Sequence, residues 1–275
     1  MQKSETLPLY DSSERRFAAL DELLELLHYR NLVVQTVRRN IVVRYKRSVL
    51  GIAWTMLNPL GTTLIMAIVF SKVFGGTSAY AAYVLSGLIA WTFFSQTTSD
   101  AMSNLIWGGD LLKRIYIPRT VFAVSSIGTG LVNLALSFVP LLVVMLMSGL
   151  PLKLPALLLP IPTLLLAMFS LGMGLLLSSI AIQFVDVAQM YQIILTAWMY
   201  LSPIIYTEEM LPKQYVWIVH LNPMYYFINL FRAPIYDGTV PNLNEFAICT
   251  AIAVATLLIG WIIFSYKADE FAYRV

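Results

Sequence analysis

Charge is what this 275-residue chain has least of: 12% of its residues are Asp, Glu, Lys or Arg and 59% are hydrophobic, whereas a soluble domain is about a quarter charged and about half apolar. With a mean hydropathy of +0.74, that balance excludes an ordinary soluble fold and points to an all-α polytopic membrane protein. Cysteine is nearly absent. The single Cys249 permits no intramolecular disulfide and, inside an apolar run, reads as a small buried hydrophobe. Histidine is limited to His28 and His220, so no His-based metal site is expected. The phosphate-cradling pattern G-x-x-x-x-G-K-[ST] occurs nowhere, which excludes ATP binding through a P-loop. Gly172 and Gly174 lie mid-span with Ser170 and Ser178, a spacing of small residues that suits close helix packing. Ionisable residues are nearly missing inside the apolar runs. That argues against a proton- or sodium-coupled carrier and against an intramembrane hydrolase or glycosyltransferase, which needs placed carboxylates. Glu5, Asp11 and Glu14 precede any long apolar run, the wrong pattern for a cleavable signal peptide.

What is present begins with a polar stretch over 1–12 and then two helical patterns. Phe17, Leu20, Leu24 and Leu27 recur at helical spacing among acidic residues, predicting a short amphipathic helix. Over 29–47 a second helix places Val34, Val37, Ile41 and Tyr45 on one stripe, with Arg38, Arg39, Lys46 and Arg47 to its side and back. Leu32, Val42 and Val43 fall on the polar side, available to a protein partner. A basic amphipathic helix beside a span is expected to lie among anionic lipid headgroups. Charge-free windows at 49–70, 79–99, 120–149, 154–182, 187–206 and 246–266 predict six spans, each at least the roughly 20 residues that cross a bilayer. The domain division is therefore a cytoplasmic segment 1–47, a membrane domain 48–266 and a tail 267–275. Fourteen of the eighteen Lys and Arg residues fall before the first span, between the second and third, or in the tail, which puts both termini in the cytoplasm.

Three connections stand out. Residues 107–119, WGGDLLKRIYIPR, open with a glycine break, close at Pro118 and leave room for one short helix carrying Lys113 and Arg114. Leu111, Leu112, Ile115 and Tyr116 beside those cations read as a docking surface for another protein, the alternative being a helix in the membrane interface. Asp186, in the short connection before the fifth span, is expected to cap that helix. Between the fifth and sixth spans, two apolar segments at 211–221 and 224–235 are too short to cross a bilayer and are separated by Asn222 and Pro223. They are a re-entrant hairpin over 207–235 or an external loop; Trp217, Tyr225, Tyr226, Phe227 and Phe231 favour the hairpin. Glu208 and Glu209 read as a solvated turn. Deeper in the spans lie Trp54, Trp91, Phe94, Tyr191 and Trp198. Such rings stack on a sliding sugar face without a fixed site, but sequence leaves open whether they face a channel, lipid or core.

The motifs RYKRSVLGIAWTMLNP at 44–59, LLKRIYIPR at 111–119, and LSPIIY at 201–206 followed by LNP at 221–223 resemble the membrane subunit of type-2 ABC exporters. More narrowly, they resemble the bacterial polysaccharide exporters of O-antigen, capsule or wall teichoic acid. The resemblance covers nearly the whole chain except the acidic segment before Tyr29, to which it assigns no role. It implies an inner-membrane homodimer with two copies of a separate cytosolic ATPase that carries the ATP and magnesium sites. Asp110, Leu111, Leu112, Lys113, Arg114, Ile115, Tyr116 and Arg119 match the family's ATPase-coupling loop, and Arg38, Arg39, Arg44, Tyr45 and Arg47 its interface helix. Trp54, Asn58, Trp91, Phe94, Tyr191 and Trp198 become the expected path lining, and Pro203, Tyr206, Trp217, Asn222 and Pro223 the expected outer gate. The expected cargo is a lipid-linked glycan, with membrane lipids around the chain and no nucleic-acid partner. The alternatives are a drug or lipid exporter, a membrane enzyme of glycolipid assembly, and a scaffold.

Overall fold

A computed structural model describes residues 18–70, 79–107, 118–184 and 186–267, and every regular element among them is helical. α1 (Ala18–His28) and α2 (Arg30–Tyr45) precede α3 (Ala53–Phe70), α4 (Ala79–Trp107) and α5 (Thr120–Met147). After a 3-10 turn at Leu154–Leu158 come α6 (Pro160–Ala181), α7 (Val187–Leu201), the short α8 (Val216–His220) and α9 (Pro223–Arg232), and finally α10 (Leu243–Lys267). Four stretches, Ala53–Phe70, Thr120–Met147, Leu154–Ala181 and Leu243–Lys267, are long and apolar enough to cross a membrane. This is a multi-pass membrane protein.

Local chemistry sets the helix ends. α2 stops where Arg47 takes a left-handed conformation (φ 65°), and α3 begins after Gly51 does the same (φ 50°); Ser48 Oγ accepts from Gly51 N at 3.1 Å and closes the turn. α4 runs eight residues beyond the predicted 79–99 because its polar continuation is bonded sideways. Asp100 pairs with Arg44 at 2.7 Å, and Asn104 donates to Ser126 Oγ at 2.9 Å. α7 ends before the predicted 206 because Ser202, preceding Pro203, is forced extended (ψ 139°). Asp186 stands at the start of α7 but its side chain makes no cap; its carbonyl instead accepts from Gln189 N and Met190 N.

α4, α5, α6 and α10 form the centre. At the α6–α10 crossing the two backbones touch: a Cβ on Gly172 would lie 2.5 Å from the Thr256 carbonyl, and one on Gly260 2.3 Å from the Gly172 oxygen. Gly174 faces Ala101 of α4, and Ser170 and Ser178 are buried with their hydroxyls turned back onto the carbonyls of Leu166 and Gly174. α3 and α7 are peripheral, burying only Pro59 and Thr63 and only Tyr191 and Leu195 respectively. α2 packs against α5, where Val37 meets Gly128. The face it turns inward carries Leu32, Val33, Val37 and Ile41, while Val34 is exposed. The stripe is thus rotated from the predicted one: Leu32 belongs to it and Val34 does not, because the partner is a helix to one side and not the flat interface below. Val42 and Val43 stay exposed, as expected of the polar side.

Candidate functional site

At the basic end, α2 delivers Arg44 and Tyr45 to the mouth of a cleft of ≈ 330 Å³ between α3 and the α4–α5 pair. Its walls mix polar and apolar side chains: Ser48, Thr55, Asn58 and Thr62 on one side and Thr92, Gln96, Asn133 and Ser137 on the other are interleaved with Pro59, Leu88, Ile89, Phe93 and Leu134, with Trp54 at the rim. Arg44 is neutralised by Asp100, so the mouth carries an ion pair and not a bare cation. Trp54 is 53% exposed and Asn58 is exposed beside it on α3. Asn133 Oδ1 is buried with no hydrogen-bond partner. Hydroxyls, amides and one flat ring can bond and stack on sugar without gripping it. Arg38, Arg39 and Arg47 are exposed at this same end.

The other expected path residues lie elsewhere. Trp91 is 5% exposed, Phe94 0% and Tyr191 3%, so within one copy they are core and present no open surface. Trp91, Phe94 and Trp198 pack with ring centroids 5.2 to 6.2 Å apart. Phe94 stacks on Phe169, and Phe169 on Phe227. Thr98 donates its proton to the Phe94 carbonyl, which leaves Tyr191 to donate to Thr98 Oγ1 at 2.7 Å. These rings therefore bind α4, α6, α7 and α9 together.

At the opposite end Asn222 is a hub. Its Oδ1 caps α9 by accepting from Met224 N at 2.9 Å and also takes the Trp198 indole N–H at 2.6 Å. Its Nδ2 donates to Ser202 Oγ and the Leu201 carbonyl at the end of α7. Pro223 follows at the first helical position, where its missing N–H costs nothing. The irregular 202–206 stretch is held from α4: Tyr80 donates to the Ile205 carbonyl at 3.0 Å, and Tyr83 to those of Pro203 and Tyr206. Trp217 is exposed, whereas Pro203 is buried and Tyr206 half-buried. Glu208 accepts from Tyr225 and pairs with His220 at 3.0 Å; the solvated turn is thus tied to α8 and α9.

Arg232 is the residue that sequence reasoning missed. It is 3% exposed and its guanidinium donates to the carbonyls of Pro203 (2.6 Å), Ile204 (3.0 Å) and Tyr83 (3.1 Å). It also lies 3.7 Å from the Tyr83 ring centroid. Gly87 leaves the space it fills, since a Cβ there would sit 2.4 Å from the guanidinium. The available signal was a lone cation ending an apolar segment too short to span. Of the expected coupling residues, Asp110, Leu111, Leu112, Lys113, Arg114, Ile115 and Tyr116 lie outside the described residues; Arg119 immediately precedes α5.

Comparison with known proteins places this arrangement among relatives. The chain is 28% identical to the O-antigen export system permease protein RfbA of Myxococcus xanthus, over 91% of this chain and 98% of that one. It is 26% identical to the capsule polysaccharide export inner-membrane protein CtrC of Neisseria meningitidis, over 81% and 86%. It is 24% identical to the polysialic acid transport protein KpsM of Escherichia coli, over 84% and 91%. The family model for ABC-2 type transporters matches residues 31–236, and the chain belongs to that family.

Proposed function

We propose that this chain is the permease subunit of an ATP-driven exporter that moves a lipid-linked polysaccharide from the cytoplasm across the bacterial inner membrane. The observation that carries the reading is similarity over 81% to 91% of the chain to proteins named for O-antigen export, capsule polysaccharide export and polysialic acid transport. Scarcity of ionisable residues in the apolar helices leaves ion coupling without groups to perform it. The energy then comes from a cytosolic ATPase, two copies per homodimer of this chain, which holds the ATP and magnesium.

In this reading the chain crosses the membrane six times. α4, with 29 residues, rises about 43 Å, and α7, with 15, about 22 Å; α7 completes its crossing with the pinned 202–206 stretch. α8 and α9 are the re-entrant hairpin, with Pro203, Tyr206, Trp217, Asn222 and Pro223 at the outer gate. Both termini are cytoplasmic. The segment 107–119 meets the ATPase through Asp110 to Tyr116 and Arg119, and α2 with Arg38, Arg39, Arg44, Tyr45 and Arg47 lies in the interface beside it. Trp54 and Asn58 line the glycan path; Trp91, Phe94, Tyr191 and Trp198 support its wall from behind. Deleting the gene tests the function: complete lipid-linked polymer is expected to accumulate inside the cell while surface polymer disappears. Loss of polymer synthesis would instead indicate an assembly enzyme, and unchanged surface polymer a drug or lipid cargo.

A further inference from the structure

The acidic helix α1 lies outside the stretch matched by the family model, which begins at residue 31, yet it holds, with Arg232 elsewhere, one of the two charged residues buried among those described. Glu22 is 3% exposed. Its Oε1 accepts from Thr120 Oγ1 at 3.1 Å and from Thr120 N at 3.4 Å. Thr120 opens α5 directly after Arg119, the last residue of 107–119, and Arg119 itself makes no side-chain cap. A buried carboxylate is costly unless bonded, and a helix N-terminus offers both unpaired N–H groups and the positive end of the macrodipole. Glu22 thus caps α5 from a helix 98 residues earlier in the chain. One turn away, the Trp261 indole of α10 donates to the Ala19 carbonyl at 2.9 Å, and α10 is locked backbone to backbone on α6.

From this geometry we infer that Glu22 is a positioning residue for ATPase coupling. Through α1 it fastens the exit of segment 107–119 to the rigid α6–α10 pair. Displacement imposed on that segment then passes into the spans and is not absorbed by slack at the start of α5. The inference rests on the proposed function, which makes 107–119 the ATPase contact. α1 acts as a strut that the matched family region does not include.

The test is the complex of this chain with its ATPase subunit in proteoliposomes, supplied with the lipid-linked polymer that the deletion strain accumulates. Polymer moved per ATP hydrolysed and melting temperature are measured for wild type, Glu22→Ala, Glu22→Gln, Thr120→Val and the Glu22→Ala/Thr120→Val double variant. Glu22→Ala is expected to lower polymer moved per ATP several-fold, with hydrolysis itself retained. Glu22→Gln keeps an acceptor but not the charge and Thr120→Val keeps only the backbone N–H bond, so both fall between wild type and Glu22→Ala, and the double variant is no worse than Glu22→Ala alone. An unchanged ratio in Glu22→Ala, or a fall that only tracks loss of folded complex across the series, overturns the inference. A wild-type complex whose hydrolysis ignores the polymer overturns the functional reading, and this inference with it.

Discussion

Arg232 concentrates the energetics of one end of the molecule in a single side chain. Its planar fork reaches the carbonyls of Pro203, Ile204 and Tyr83 at once and so joins the irregular stretch after α7 to α4. Hydrogen bonds to a charged donor are stronger than neutral ones, and removing this donor takes a charged partner from the Ile204 carbonyl and leaves those of Pro203 and Tyr83 to the hydroxyls of Tyr83 and Ser86, a cost on the order of 3 kcal/mol. Arg232→Ala is therefore expected to lower the melting temperature in detergent markedly. Arg232→Lys is expected to recover only part of the loss, because an ammonium does not reproduce the fork. Equal stability of Arg232→Ala and wild type would show that the network holds nothing. This residue marks the edge of what the sequence made legible. The cation was visible, but its acceptors are backbone oxygens 28 to 149 positions away, and a carbonyl leaves no trace in residue type. Asn222 and Pro223 were legible because a capping amide and a first-turn proline act locally. Trp91 and Phe94 were legible as deep aromatics but not as core, because apolar residues surround them on every side of α4 and no period there names a face.

For elements, the predicted windows for α3, α5, α6 and α10 agree with helices to within a few residues, since an apolar run long enough to cross a membrane has one stable backbone solution. The disagreements have local causes. Hydropathy ends a window at the first acid, whereas α4 continues through Asp100 because Arg44 answers it. A window also ignores the extended backbone that Pro203 imposes on Ser202. The small residues of α6 were readable as a packing surface, but their partner, Gly260 on α10, was not, because contact between helices depends on their rotation. The geometry ranks substitutions. Gly172→Ala and Gly260→Ala each drive a methyl into rigid backbone and are expected to destabilise by about 1–3 kcal/mol. Gly174→Ala meets only the Ala101 methyl at 3.0 Å and is expected to cost less. Melting temperatures of the three variants in one detergent decide it; Gly174→Ala as the most damaging would contradict the α6–α10 crossing.

At the scale of the whole molecule, the aromatics divide into rings buried in the bundle and rings at its surface, and the proposed function puts cargo only against the second group. Trp91 and Phe94 lie inside a stack that joins four helices, while Trp54 stands half bare at the mouth of the cleft that Asn58, Thr62, Gln96 and Asn133 share with apolar neighbours. Composition could not separate the two groups, since both are large rings in apolar helices; only burial does. The separation predicts opposite phenotypes. Phe94→Ala and Trp91→Ala remove buried rings and are expected to cost about 3–5 kcal/mol, seen as less folded complex in the membrane and a lower melting temperature. Trp54→Ala and Asn58→Ala leave the amount and melting temperature of the complex unchanged, because neither side chain is buried in the bundle. Their effect is expected in export: several-fold less surface polymer from the same quantity of permease, with Trp54→Phe restoring most of it because stacking needs a flat face and not the indole nitrogen. Quantitative blotting of membrane fractions beside surface polymer separates the two classes in one set of strains. Export that falls only in proportion to folded permease across all of these variants would remove Trp54 and Asn58 from the glycan path and leave the cleft a packing feature.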